Sequence, residues 1–305
     1  MRRPFTQRGG KLRRRTERWR PDRPWDALGL FPGIADLVSP HARCNDTCRR
    51  PDLATGFRAE DLWQIILLSP EDYALFLDID GTLLDLAATP DDITVPAALP
   101  AQLHAWSQRL DGALALVTGR ALTYADKLFT PHRFPIAGLH GTELRNADGA
   151  VTRSETSPAF DRFKLELQQA AEALDGVLIE DKGAAVAAHY RLAPERQAEV
   201  ERLMDRATAV VGPGWALQRG KMVIELRPAS ADKGMAIETF LSKPPFAGRR
   251  PVAIGDDVTD EAMFAAVNRL GGHAIRIGSP SPTTAASLSL PSAAALRELI
   301  ARISV

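Results

Sequence analysis

The stretch that decides the fold is residues 73–82, which read YALFLDIDGT. Its apolar run from Ala74 to Ile79 predicts a buried strand, and its end carries two aspartates, Asp78 and Asp80, followed by a glycine that permits a sharp turn. Side chains alternate along a strand, so Asp78 and Asp80 point to the same face. The stretch therefore predicts a strand that delivers two carboxylates to one end of a sheet.

Two other apolar runs also end in polar residues. The run at 113–117 leads into Thr118-Gly119-Arg120, and the run at 252–254 leads into Gly255-Asp256-Asp257, with Asp260 shortly after. In a parallel sheet, ligands bind beyond the carboxyl ends of the strands. We expect these residues to meet at one rim.

Stretches of sequence with the periodicity of a helix separate these strands. Pro96 opens a predicted helix before the second strand, and Asp232 and Ser292 are predicted caps of two later helices. A last strand is predicted at 274–277. Strand and helix alternate as in a parallel sheet, so the predicted fold class is α/β, with a Rossmann-like core.

The middle of the chain has a different order, helix, two strands, helix, two strands, which predicts an inserted α+β module. We predict a core of residues 58–141 and 228–305, and a cap of residues 142–227. The cap is well placed to cover the rim of the core.

The residues at the rim suit phosphoryl transfer. Mg²⁺ prefers oxygen ligands, which Asp78 and Asp256 can supply, and a carboxylate can act as nucleophile. Lys233 and Thr118 can hold phosphate oxygens. Each motif alone is weak, since Asp-x-Asp-Gly also occurs in turns and calcium loops. The four motifs in this order are strong evidence, because buried like charges without a cation are costly.

The same residues resemble the haloacid dehalogenase superfamily of phosphatases, and within it the trehalose-6-phosphate phosphatase family. Asp78 to Leu83 is similar to its first motif, Thr118 to its second, Lys233 to its third, and Gly255-Asp256-Asp257 to its fourth. The strings that select the family are 117–120, 138–143, 179–183, 188–191, 220–228 and 255–261. The resemblance implies this superfamily's core with a large α+β cap.

The resemblance also implies a mechanism. Asp78 would attack phosphorus and Asp80 would act as acid and base, with Thr118 and Lys233 binding the phosphoryl group. Mg²⁺ would be the cofactor. Its expected ligands are Asp78, Asp80 through its backbone carbonyl, Asp256 and Asp257. Either Asp257 or Asp260 would orient Lys233 or a metal-bound water.

For the substrate, the resemblance implies cap residues that contact the sugar. These are Glu180, Lys182 and Glu225. From the residues alone, an alternative interpretation is that they form the salt-bridged, solvent-exposed face of a sheet. At the rim, the expected substrate-binding residues are Thr118, Gly119, Arg120, His140 and Gly141.

The charge of the chain is divided unevenly. The total is zero, but residues 1–50 hold 13 Arg and Lys against five Asp and Glu, a charge of +8, which leaves −8 for the rest. We predict a basic, flexible arm at 1–57. Two cysteines and the lack of a long apolar run indicate a protein of the reducing cytoplasm that does not enter membranes.

The expected function is a Mg²⁺-dependent phosphatase that releases trehalose and phosphate from trehalose 6-phosphate, with a monomer favoured. One alternative is a phosphatase for another sugar phosphate, such as sucrose phosphate or mannosylglycerate phosphate. Another is a non-catalytic regulatory protein that binds nucleic acid through its arm, although the neutral total charge argues against a nucleic-acid partner.

Overall fold

The computed structural model describes residues 56–87, 93–220, 222–229, 231–279 and 281–303. The predicted arm at 1–57 therefore lies outside the described residues, except for Gly56 and Phe57. Along the chain the elements are α1 (Ala59–Leu68), β1 (Tyr73–Leu77), α2 (Leu99–Arg109), β2 (Leu114–Val117), α3 (Leu122–Leu128), β3 (Ile136–Gly138), β4 (Glu143–Arg145), β5 (Val151–Arg153), α4 (Pro158–Ala171), β6 (Leu178–Asp181), β7 (Val186–His189), α5 (Gln197–Val211), β8 (Trp215–Gly220), β9 (Val223–Pro228), α6 (Lys233–Leu241), β10 (Arg250–Gly255), α7 (Glu261–Arg269), β11 (His273–Ile277), β12 (Leu288–Leu290) and α8 (Ala293–Ile300).

Within the described ranges, the large sheet has eight strands in the order β12-β11-β10-β1-β2-β3-β4-β5. The strands from β12 to β3 run parallel, which confirms the predicted α/β class. All five residues of β1 are buried. Leu77 pairs with Ile254 on one side and Leu116 on the other, so the residues that follow these strands emerge at one level.

The insert has its own four-stranded antiparallel sheet, β6-β7-β9-β8, against which α4 and α5 pack. Its buried apolar side chains, among them Phe160, Val186 and Met204, form a cluster separate from that of the large sheet. The predicted order of helices and strands is confirmed here.

Three local predictions differ from the structure. The helix expected from Pro96 begins at Leu99, because the Leu99 amide bonds the Pro96 carbonyl in a preceding turn. Strand β12 was not predicted, since three residues are too few to show a period.

Strands β4 and β5 extend the large sheet antiparallel to β3, although they fall within the residues predicted to form the cap. We therefore propose that the cap spans about residues 154–228.

In the part of the chain that the structure describes, no helix combines the length and the apolar character needed to cross a bilayer.

Two tryptophans donate hydrogen bonds to carbonyls at the C-terminal end of α8. The indole N–H of Trp63 donates to the Leu299 carbonyl at 3.0 Å, and that of Trp106 donates to the Ile300 carbonyl at 2.9 Å. The same carbonyls also accept from the Arg302 and Ile303 N–H groups at 3.2 and 3.3 Å, so the indole bonds are second, shorter hydrogen bonds made inside the core. They tie α8 to α1 and α2.

We predict that Trp106→Phe lowers the free energy of unfolding by about 0.5–1.5 kcal/mol, because the Ile300 carbonyl loses its shorter hydrogen bond and keeps the longer one from the Ile303 N–H at 3.3 Å. Urea unfolding measures the change. Trp215→Phe is the matched control, since the Trp215 ring stacks on Phe160 in the cap at 4.0 Å and its replacement keeps that stack. Equal losses in the two variants would mean that ring volume, and not the hydrogen bond, is responsible.

Candidate active site

Three carboxylates meet at the carboxyl end of the parallel strands. Asp78 follows β1, and Asp256 and Asp260 follow β10. One oxygen atom from each lies within 4.8 Å of the other two. Asp78 and Asp260 are buried and Asp256 is partly buried. Such carboxylates repel one another unless cations neutralise them.

Lys233 supplies one positive charge to this cluster. It is the first residue of α6, whose N-terminus is capped by the Asp232 side chain as predicted. Lys233 Nζ donates to Asp78 Oδ1 at 2.7 Å and to Asp260 Oδ1 at 2.6 Å, and the residue is only 3% exposed. The predicted residue Gly141 lies behind this helix start, with a φ of 105°, where a Cβ would approach the Asp232 carbonyl to 3.1 Å.

Asp260 is engaged through both of its oxygens. Besides the bond from Lys233, its Oδ2 accepts from the backbone N–H groups of Asp256 at 2.9 Å and Asp257 at 3.0 Å. Asp257 instead caps the short 3₁₀ helix Val258–Asp260 by accepting from the Val258 N–H. Asp260, rather than the predicted ligand Asp257, therefore completes the carboxylate cluster, and of the two acids it is Asp260 that orients Lys233.

The electrostatics of the cluster follow from burial. Burial raises the pKa of Asp78 to about 8 against the opposing charge of Lys233, and the charges of Asp260 and Asp256 add to the rise. Burial likewise raises the pKa of Asp256 to about 6, together with Asp260. Burial alone would lower the pKa of Lys233, but the charges of Asp78 and Asp260 outweigh it and raise that pKa. The lysine stays a cation, and the site still has too little positive charge for three carboxylates.

The donors around this cluster fit a divalent cation. They are carboxylate oxygens, which Mg²⁺ prefers, and their excess negative charge is what such an ion would neutralise. Gly81 has a φ of 80°, and a side chain there would collide with the Asp256 carboxylate. Thr82 Oγ1 also donates to Asp256 Oδ1 at 3.1 Å. The turn after β1 thus holds Asp256 close to Asp78.

Asp80 is held by the neighbouring strand. Arg120, which follows β2, bonds both oxygens of Asp80, with Nε at 2.5 Å and Nη2 at 2.6 Å. Thr118 is fully buried, and its hydroxyl accepts from the Arg120 N–H at 3.2 Å. The structure therefore brings the predicted residues of these two strands together.

His140 lies where the core meets the cap. Its backbone has a φ of 56°, and its ring sits so close to Gly119 that a side chain at that glycine would collide with it. Burial lowers the pKa of His140 to about 3, and the charges of Lys233, Lys182 and Arg227 act in the same direction. Its imidazole is therefore neutral at physiological pH.

Glu180, Lys182 and Glu225 lie on one face of the cap sheet. Lys182 Nζ donates to Glu225 Oε2 at 2.7 Å and lies 3.9 Å from Glu180 Oε2. Glu225 is 7% exposed, and its buried Oε1 has no hydrogen-bond partner among the residues that the structure describes. A buried carboxylate oxygen without a donor is costly, and a ligand hydroxyl would relieve that cost.

Three more polar residues share this face: His189, Gln218 and Arg227. His189 could equally be a structural histidine from the sequence and was not assigned to the site, and Gln218 and Arg227 were missed. His189 Nε2 lies 2.9 Å from Glu180 Oε2, and Arg227 Nε donates to Gln218 Oε1 at 2.8 Å. The period of two along β9 could have placed Arg227 beside Glu225. The position of Gln218 depends on its pairing with Glu225 across strands, which no local pattern shows.

A cleft of about 790 Å³ opens between the core and the cap. Asp80 and Arg120 line it from the core, and Glu180 and Lys182 line it from the cap. The acid that follows β1 and the polar face of the cap therefore border one space.

Comparison with known proteins gives a consistent result. A family model described as trehalose-phosphatase matches residues 76–293. A probable trehalose-phosphate phosphatase of Sinorhizobium fredii is 60% identical over 246 residues, which cover 81% of this chain and 93% of that relative. The trehalose-6-phosphate phosphatase of Escherichia coli is 42% identical over 207 residues, which cover 68% of this chain and 77% of the relative.

Solved structures share the fold. The C-terminal domain of a Candida albicans trehalose-6-phosphate phosphatase matches with a TM-score of 0.64 at 20% identity, over 79% of this chain and 95% of that one. A haloacid dehalogenase-like hydrolase from B. subtilis matches with a TM-score of 0.54 at 14% identity, over 76% of this chain and 100% of that one. With the family model covering most of its length and a relative 60% identical, the chain belongs to the trehalose-phosphatase family.

Proposed function

We propose that the protein hydrolyses trehalose 6-phosphate to trehalose and inorganic phosphate. The observation that carries the proposal is the cleft, because Asp80, the predicted acid and base, lines it together with Glu180 and Lys182 of the cap. Membership of the trehalose-phosphatase family supports the sugar. The two curated relatives described above carry trehalose-phosphate phosphatase names.

Asp78 is the proposed nucleophile. Its carboxylate attacks phosphorus, an O–P bond to Asp78 forms, and the bond from phosphorus to the sugar oxygen breaks. Asp80 gives its proton to the departing sugar oxygen. It then takes a proton from the water that attacks the aspartyl-phosphate and releases inorganic phosphate. In the structure both oxygens of Asp80 accept from Arg120, so in the proposed mechanism Asp80 gives up one of these bonds when it carries the proton.

Lys233 and Thr118 are proposed to bind oxygens of the phosphoryl group. Lys233 already contacts Asp78 at 2.7 Å, so its charge lies next to the atom that attacks. The bond from Lys233 to Asp260 keeps the ammonium in place throughout the reaction. A fixed positive charge of this kind favours the transition state without reorganisation.

Mg²⁺ is the proposed cofactor, held by the carboxylates of Asp78 and Asp256 and by the backbone carbonyl of Asp80. When bound, it would neutralise negative charge between the phosphate and these carboxylates. The contacts of Thr82 and Gly81 with Asp256 prepare the position of that ligand.

The polar face of the cap is proposed to recognise the disaccharide. Trehalose offers hydroxyl groups, for which Glu180 and Glu225 are acceptors and Lys182 is a donor. The unpaired Oε1 of Glu225 supports this role. His140, being neutral, can donate and accept at the rim. A cytoplasmic location and a monomeric state stay predictions.

A panel of sugar phosphates tests the proposed substrate. We expect kcat/KM to be highest for trehalose 6-phosphate, because the cap face is shaped by groups that bind sugar hydroxyls. Steady-state assays with sucrose phosphate and mannosylglycerate phosphate are the comparison. A preference of about 100-fold or more for either, about 2.7 kcal/mol in transition-state stabilisation, would contradict the proposal.

Asp78→Asn tests the nucleophile. We expect kcat to fall by at least about 10³-fold, because an amide does not form the phosphorylated intermediate. The thermal unfolding temperature should not fall, since removing this buried charge relieves its repulsion from Asp260 and Asp256 while Lys233 keeps its bond to Asp260. Substantial residual activity in a folded variant would rule out the aspartyl-phosphate route.

Removal of divalent cations tests the cofactor. We expect a chelator to abolish turnover and added Mg²⁺ to restore it, because three carboxylates with one ammonium keep an excess of negative charge near the phosphate. Circular dichroism recorded before and after chelation is the control for folding. Full activity in the chelated, metal-free enzyme would contradict a Mg²⁺-dependent reaction.

A further inference from the structure

Asp181, the last residue of β6, and residues 182–185 form the turn into β7, in which the Lys182 N–H donates to the Ala185 carbonyl at 3.0 Å. We call it the Lys182 turn. Within it, Asp181 Oδ1 accepts from the Gly183 N–H at 2.8 Å, and Gly183 adopts a φ of 75°. Lys182 extends from this turn to Glu225. The position of the Lys182 ammonium therefore depends on how firmly the turn is held.

Lys164, from the middle of α4, holds the turn from the side. Its Nζ donates to Asp181 Oδ1 at 3.1 Å, to Asp181 Oδ2 at 3.0 Å and to the Gly183 carbonyl at 3.1 Å. An ammonium has three N–H groups, so all of them are used. The Phe160 ring lies 5.2 Å from the same nitrogen, within range of a cation–π contact.

An ion pair between two exposed side chains typically contributes little, but in this pair only Asp181, at 44%, is well exposed. The Lys164 side chain is only 15% exposed, and it lines the same cleft as Lys182. Its helix is fixed in the cap core by the buried side chains of Phe160 and Phe163. Lys164 thus anchors a short turn that contains a glycine to a helix that is packed in the cap core.

We infer that Lys164 is a positioning residue for substrate recognition, which sets Lys182 in place by clamping Asp181 and the Gly183 carbonyl. The inference rests on the proposed function, because it concerns the same sugar-binding face. It assigns Asp181 to the clamp, since both of its oxygens are occupied by protein donors. Lys164 itself is not required to touch the sugar.

The test compares Lys164→Met with Lys164→Arg and with the control Arg162→Met, which removes one positive charge from an exposed position on the same helix. Two substrates are used, trehalose 6-phosphate and p-nitrophenyl phosphate, which has no sugar. For Lys164→Met we expect KM for trehalose 6-phosphate to rise about tenfold, since a loosened contact group binds less well. We expect kcat/KM for p-nitrophenyl phosphate to stay within about twofold, because the chemistry at Asp78 is untouched.

Lys164→Arg should recover most of the affinity, since a guanidinium can bond Asp181 through two N–H groups. Arg162→Met should behave as wild type. In Lys164→Met, amide hydrogen exchange should become faster in the peptide that contains residues 178–186, which reports the turn without any substrate.

An unchanged KM in Lys164→Met, equal losses on both substrates, no recovery in Lys164→Arg or unchanged exchange in the turn would each overturn the inference. A wild-type enzyme that fails to hydrolyse trehalose 6-phosphate would overturn the proposed function. The wild-type measurement therefore separates the two failures.

Discussion

The site depends on one buried ammonium, that of Lys233, lying between the carboxylates of Asp78 and Asp260. These residues come from the end of β1, the start of α6 and the 3₁₀ helix after β10, so one cation joins three distant segments. Removing the ammonium would leave two buried carboxylates uncompensated, and a buried ion pair that loses one partner in this way costs about 3–5 kcal/mol. The same contacts that make the site reactive therefore also hold the core together at its functional rim.

The cap differs from this charged cluster, because its polar contacts are weaker and more numerous. Its inner sheet face pairs Lys182 with Glu225 and His189 with Glu180, and its other face is buried under α4 and α5. A phosphate can be bound by charge, but the hydroxyls of a sugar need many donors and acceptors at set positions. The charged groups of the core and the hydrogen-bonding groups of the cap thus border one cleft, an arrangement that suits the proposed division between reaction and recognition.

Much of this could be predicted because its signals are local. The apolar run that ends at Asp78 and the capping side chain of Asp232 each depend on a few adjacent residues. The choice between Asp257 and Asp260 could not be predicted, since it depends on which carboxylate the 3₁₀ helix turns toward Lys233. The Arg120 contact with Asp80 is likewise invisible in the sequence, because it joins two strands through side-chain geometry.

The order of strands in the large sheet also has a consequence for biosynthesis. β1 lies in the middle of that sheet, but its neighbour β10 is made only after the whole cap. The cap segment is continuous and contains every strand of its own sheet. During synthesis it can therefore fold while β1, fully apolar, still has one unpaired edge, and such an edge favours aggregation. That edge of β1 is covered only when β10 has been made.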